Sequence, residues 1–154
     1  MGEATSIHLA APGDSRVVAS LLDRFNREFG VSTPGVEVLA ARLEQHLSGA
    51  SMFALCAGDP AVGVALVSLR PNAWYAGPVG LLDELYVIPD CRNRGAGTRL
   101  LRGAEEQVRA RGGQLLEINV DGGDHDALRF YRRHGYVDRD PGESVPAKYL
   151  FREL

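Results

Sequence analysis

The segment Arg92-Asn93-Arg94-Gly95-Ala96-Gly97-Thr98 concentrates groups suited to holding an anion. Glycines at 95 and 97 let the main chain turn sharply and approach a ligand closely. Successive N–H groups at a helix start point outward beside the positive end of the helix dipole. Arg92 and Arg94 add charge-assisted donors, and the Thr98 hydroxyl can cap the helix or meet a phosphate. The chemistry that fits this set is the cradling of a pyrophosphate. The plainer alternative is a turn followed by a helix cap, because Gly-x-Gly before a helix is a weak signal taken alone. Two nucleotide-binding patterns fit poorly. The dinucleotide fingerprint needs a third glycine where Leu100 stands, and the P-loop needs Gly-Lys-Ser/Thr where this loop has no lysine.

Composition narrows the setting. The chain has 154 residues and a formal net charge of −3, with 45% hydrophobic and 24% charged residues. That length suits one domain, 1–154, able to bury a core without metals or disulfides. No apolar run approaches the roughly 20 residues of a membrane span, and Met1 to Pro12 lacks the basic flank and apolar stretch of a secretory signal. A cytoplasmic protein that does not engage membranes is the expectation. Cys56 and Cys91 form no Cys-x-x-Cys pair, and His8, His46, His125 and His134 show no metal-ligand spacing, so free thiols and no metal are expected. A mildly acidic chain argues against a nucleic-acid surface, and the cluster Arg92, Arg94, Arg99 and Arg102 suits a compact anion better than a polymer.

The elements that must position the loop follow from periodicity. A short strand near Ser6 to Ala10 precedes a helix capped by Asp14 or Ser15, with Val18, Leu21, Leu22, Phe25 and Phe29 at helical spacing and Gly30 as its stop. A second helix is predicted from Thr33-Pro34, with Val36, Leu39, Ala40, Leu43 and Leu47 on one face before Gly49. Ser51 to Ala57 and Ala61 to Arg70 read as strands joined at Gly58-Asp59-Pro60. A loop, Pro71 to Pro78, leads to a strand at Val79 to Ile88. The glycine segment then opens a helix with Leu100, Leu101, Ala104 and Val108 inward, ended by Gly112-Gly113. Leu116, Ile118 and Val120 alternate as a strand. Asp124 can cap a helix running to about His134, with Gly135 after it. Tyr136 to Asp138 and Ala147 to Glu153 are predicted as the last strands.

Leu85-Tyr86-Val87-Ile88-Pro89, then Arg92-x-x-Gly95-x-Gly97, then Leu100-Leu101, resembles the signature segment of the GNAT superfamily of acyl-CoA-dependent N-acetyltransferases. Ala127-x-x-x-Tyr131-x-x-x-Gly135-Tyr136 resembles that superfamily's downstream helix, and the order of elements matches along nearly the whole chain. The resemblance implies an α/β (α+β) fold: a mixed, mostly antiparallel sheet flanked by helices and splayed at the strand before the glycine loop. It implies acetyl-CoA as co-substrate, with its pyrophosphate on Arg92 to Thr98 and its pantetheine arm paired like an added strand with Leu85, Tyr86 and Val87. A homodimer is common in the family. The family often has Asn-x-x-Ala at the downstream helix, and this chain departs from it with Asp124-x-x-Ala127.

The same resemblance suggests roles at the reacting atoms. Asp83 and Glu84 would lie beside the thioester, and either can take a proton from an acceptor amine. Glu84 is preferred because, in the aminoglycoside 3-N-acetyltransferase branch, a carboxylate directly precedes the Leu-x-Val segment. Period-two alternation puts Asp83 and Glu84 on opposite faces, so only one should face the acceptor. Tyr131 would protonate the departing thiolate; otherwise it is a core tyrosine. Trp74 and Tyr75 are candidate walls of an acceptor pocket, or else dimer contacts. Glu28, Glu37 and Glu44 can attract a cationic substrate, or simply form a charged outer face. Leu21 to Gly30 and Gly123 to Tyr131 are also similar to aminoglycoside 3-N-acetyltransferases, which makes small-molecule amines the leading acceptor class. Acetylation of proteins or peptides would need an open groove. A non-catalytic acyl-CoA-binding module is disfavoured by the presence of both Glu84 and Tyr131.

Overall fold

The runs Met52–Ala57 (β2) and Gly63–Arg70 (β3) are apolar almost without interruption, the pattern of strands covered on both faces. The computed structural model, which describes residues 5–154, places them at the middle of a five-stranded sheet in the order β1-β2-β3-β4-β5. Ile7–Leu9 (β1), β2, β3 and Val79–Val87 (β4) pair antiparallel in chain order, whereas Leu115–Ile118 (β5) pairs parallel to β4. On one face, Ser15–Glu28 (α1) and Val36–Leu47 (α2) bury Val18, Leu22 and Leu43 against Ala54, Cys56, Val64 and Leu66. On the other, Ala96–Ala110 (α3) buries Leu100, Leu101, Ala104 and Val108, the inward positions expected from their spacing. Alternation sorts β2 and β3 between the two layers.

Contacts divide the chain into two compact units, one ending at Ile118 and one running from Asn119 to Leu154. The second unit holds His125–Arg133 (α4), capped by Asp124, whose carboxylate accepts the Ala127 N–H at 3.0 Å. Gly135 follows at φ 89°. Among the described residues no helix is long and apolar enough to cross a membrane.

One predicted helix start shifts and two predicted strands are absent. The second helix begins at Val36 rather than Thr33, because Gly35 sits at φ 94° and the Thr33 hydroxyl is drawn to buried Asp23 at 2.8 Å. The strands predicted at Tyr136 to Asp138 and Ala147 to Glu153 do not form. Gly142 adopts φ 88° between Pro141 and Pro146, and the two stretches meet through one backbone bond, Ala147 N–H to Asp138 O at 2.6 Å. An alternating segment needs a ladder partner to become a strand.

Candidate active site

β4 is irregular where its acidic residues lie. Its register to β3 runs Ala65–Leu85 and Leu66–Glu84, then slips to Val67–Leu82, leaving Asp83 as an extra residue in a β-bulge. Glu84 lies opposite Leu66, which packs in the layer under α1 and α2. Asp83 takes hydrogen bonds from Ser68, whose alternate position puts it in that same layer. The bulge thus turns both carboxylates toward one cleft, and the opposite-face expectation for Asp83 and Glu84 fails because regular alternation stops there.

That cleft has a volume of about 240 Å³ and is lined by Asp83 and Glu84 on one side and by Leu39, Arg42, Leu43 and His46 of α2 on another. Burial raises the proton affinity of both carboxylates. For Asp83 the Ser68 hydrogen bonds oppose the shift, while for Glu84 the neighbouring Asp83 charge adds to it. A carboxyl raised in this way is a better proton acceptor at neutral pH than an exposed one. Asn26, Arg42 and His46 were not singled out from sequence. Arg42 and His46 stand at i+3 and i+7 from Leu39, beside the apolar stripe, and that spacing is the signal that could have found them.

Beyond the bulge β4 keeps its partner on one side only. The β4–β5 ladder ends at Leu82–Ile118, while the β3–β4 ladder continues to Gly63–Val87. Ile88 donates its N–H to Val62 O on the β3 side at 2.9 Å. Alternation therefore aims the N–H and C=O groups of Leu85 and Val87 away from β3, along the opened edge. The Tyr86 side chain is buried, and its hydroxyl donates to Glu28 at 2.7 Å.

At the end of this strand the chain makes a short 3-10 turn, Pro89–Cys91, and then the glycine loop. Asn93 at φ 59° and Gly95 at φ 84°, ψ −1° both adopt left-handed backbone, and no side chain caps α3. No N-cap side chain therefore competes at the helix start, where an anion site would use first-turn N–H groups. Arg94 and Arg99 make no ion pair among the described residues and lie exposed beside the loop. Arg92 is committed differently. Its Nε donates to Val87 O at 2.8 Å and its terminal nitrogen to both Glu28 oxygens at 2.7 and 2.9 Å. Burial disfavours the charged form of Glu28, but hydrogen bonds from Tyr86 and Arg92 outweigh it and hold the carboxyl below its ordinary value. Glu28 thus braces the loop in this structure and does not line the carboxylate cleft.

Trp74 and Tyr75 are not brought to that cleft either. The Asn72 side chain accepts both of their N–H groups, leaving Trp74 90% exposed, while Tyr75 lines a cavity with Pro78 and Arg111 that adjoins the cleft at Met52. In the second unit Tyr131 is half-buried on α4, edge-on to Phe130 and Tyr136 at centroid distances of 5.2 and 5.8 Å, with Ala127 one turn earlier. Among the described residues no cluster of three or more His, Cys, Asp or Glu could hold a metal.

Known proteins share this fold. The acetyltransferase (GNAT) family pattern matches residues 18–136. A crystal structure of a protein of Arthrobacter sp. FB24 assigned to the acetyltransferases is 47% identical, covers 100% of this chain and 99% of its own, and superposes with a TM-score of 0.93. The aminoalkylphosphonate N-acetyltransferase of Salmonella typhimurium is 36% identical over 75 residues, a match spanning 49% of each chain. The aminoglycoside N-acetyltransferase AAC(6')-Iy in complex with CoA, 16% identical, shares the fold at a TM-score of 0.80 over 100% of this chain and 97% of its own. The chain belongs to the GNAT family of acetyltransferases.

Proposed function

We propose that the protein transfers an acetyl group from acetyl-CoA to a primary amine of a small molecule by direct attack on the thioester, with residues 1–154 acting as one N-acetyltransferase domain. The observation that carries this reading is the opened edge of β4, with a bulge that aims two carboxylates into a cleft at one end and an uncapped helix start at the other. The family match runs across both compact units, which supports treating them as one domain.

These residues suit the coenzyme, which supplies the activated acyl group. The N–H groups of Gly95, Ala96 and Gly97 and the Thr98 hydroxyl would hold the pyrophosphate, with Asn93 shaping the loop and Arg94 adding charge. Arg92, braced by Glu28, would support the same loop. Leu85 and Val87 would pair with the pantetheine arm, while Tyr86 anchors the strand from within. By their places in the family pattern, Asp124 and Ala127 would shape the helix beside the arm and Tyr131 would give its proton to the departing sulfur.

An amine with a pKa near 10.4 is neutral about once in 2,500 molecules at pH 7, a deficit of about 4.6 kcal/mol. Glu84, with Asp83 beside it, would take the ammonium proton. The freed nitrogen lone pair would form the C–N bond as the C–S bond breaks, and the nitrogen would shed its second proton to solvent to become the neutral amide. Sulfur leaves with the proton given by Tyr131, which regains one from solvent as Glu84 releases its own. The small cleft volume favours a compact acceptor over a polypeptide. Relatives named for aminoalkylphosphonates and for aminoglycosides support an amine acceptor, and differ widely in the acceptor's charge. CoA release measured over a panel of amines and peptides tests the proposal. Turnover of small amines that falls in Glu84→Gln and in Tyr131→Phe is expected, and turnover of peptides alone would overturn it.

A further inference from the structure

We infer that the cleft selects an acceptor that carries an acidic group, a carboxylate or phosphonate, as well as its amine, with Arg42 as the specificity-determining residue. The inference rests on the reading above, in which Asp83 and Glu84 receive the amine end. α2 turns Leu39, Arg42, Leu43 and His46 toward the cleft at i, i+3, i+4 and i+7, one face of the helix. Leu43 is buried in the core, so the helix cannot roll to take Arg42 out of the cleft without losing that packing.

Arg42 makes no ion pair or hydrogen bond among the described residues. Nor does Arg42 neutralise the two carboxylates across the cleft. Glu84 responds to burial and to Asp83, and Asp83 to burial and Ser68. One cleft of about 240 Å³ therefore carries uncompensated negative charge on β4 and uncompensated positive charge on α2, with the His46 imidazole one turn further along. A cationic acceptor without an acid would leave the guanidinium facing nothing and would be repelled by it. An amino acid or amino phosphonate satisfies both walls, its acid meeting the planar fork of Arg42 and its ammonium meeting Glu84.

The test compares CoA release with 4-aminobutyrate and 3-aminopropylphosphonate against butylamine, spermidine and an aminoglycoside, on the wild type and on Arg42→Gln and Arg42→Lys, each checked by thermal melting. The expected result is a kcat/KM at least about tenfold higher for the acid-bearing amines, a preference that Arg42→Gln shrinks by about 10- to 100-fold and that Arg42→Lys partly restores. The carboxylate and phosphonate arms identify which acid fits. A preference for butylamine, spermidine or the aminoglycoside, or a preference unchanged in Arg42→Gln, overturns the inference while leaving amine acetylation intact. No CoA release with any amine removes the underlying reading and the inference with it.

Discussion

Replacing Glu84 by Gln keeps the size of the side chain and removes its ability to take a proton. A positioned general base contributes about 10²- to 10⁴-fold, equivalent to about 2.7–5.4 kcal/mol. The bulge leaves Asp83 in the same cleft as a substitute base. Glu84→Gln should therefore fall toward the lower part of that range, about 10²-fold in kcat/KM, and Asp83→Asn by less. The double variant should lose about 10³- to 10⁴-fold, more than Glu84→Gln alone and with non-additive effects. The pH profile adds a signature. Glu84 is raised above its ordinary 4.5, by burial first and by the Asp83 charge second, so activity should fall as pH drops through that raised value. Asp83→Asn removes the repulsion, and the acid limb of kcat/KM should move to lower pH. Stability has the matching sign: the folded state holds these protons more tightly than the unfolded chain, so charging the pair as pH rises costs stability. Continuous detection of released thiol across pH 4.5–8 reads all of this. A Glu84→Gln variant within twofold of wild type, or an acid limb displaced upward in Asp83→Asn, would refute the reasoning.

Three further outcomes follow from the packing and the thiols. Leu100→Ala empties a fully buried position under the sheet and should cost about 2–5 kcal/mol, lowering the melting temperature by about 5–15 °C in calorimetry. Cys56 is buried, and burial followed by the Asp14 charge pushes its thiol up to about 11, whereas Cys91 is half-exposed. A thiol reagent at neutral pH should accordingly modify Cys91 alone in the native protein and both residues in denaturant, as read by mass spectrometry. Glu28→Gln weakens the brace on Arg92, and its effect should appear as a weaker affinity for acetyl-CoA of up to about tenfold.

The glycine loop was legible in the sequence because its residues have few other uses. Gly95 occupies left-handed backbone at a helix start, and Leu100, Leu101, Ala104 and Val108 carry an unbroken helical stripe behind it. The acidic cleft was legible only in part. Leu82 and Tyr86 share a parity in sequence, yet the bulge at Asp83 sends them to opposite layers. The doubled pattern Leu81-Leu82-Asp83-Glu84 is the trace it leaves, one that a regular strand also permits. Arg42 and His46 escaped notice because amphipathic analysis follows apolar residues, and a functional cation beside the stripe looks like ordinary solvated surface. Glu28 was open to two readings, attraction of a cationic substrate or a charged outer face, and only the fold brings it to Arg92 and Tyr86, 64 and 58 residues away.

The most direct test of the account is a calorimetric titration of acetyl-CoA into the wild type, Gly95→Asn and Gly95→Asp. A Cβ at Gly95 meets nothing within 4 Å, and both Asn and Asp tolerate the left-handed backbone there, so the two variants differ mainly by one negative charge in the loop. The account predicts binding by the wild type and by Gly95→Asn, with Gly95→Asp at least about tenfold weaker than Gly95→Asn. Equal affinities for the two variants, or no binding by the wild type, would contradict it.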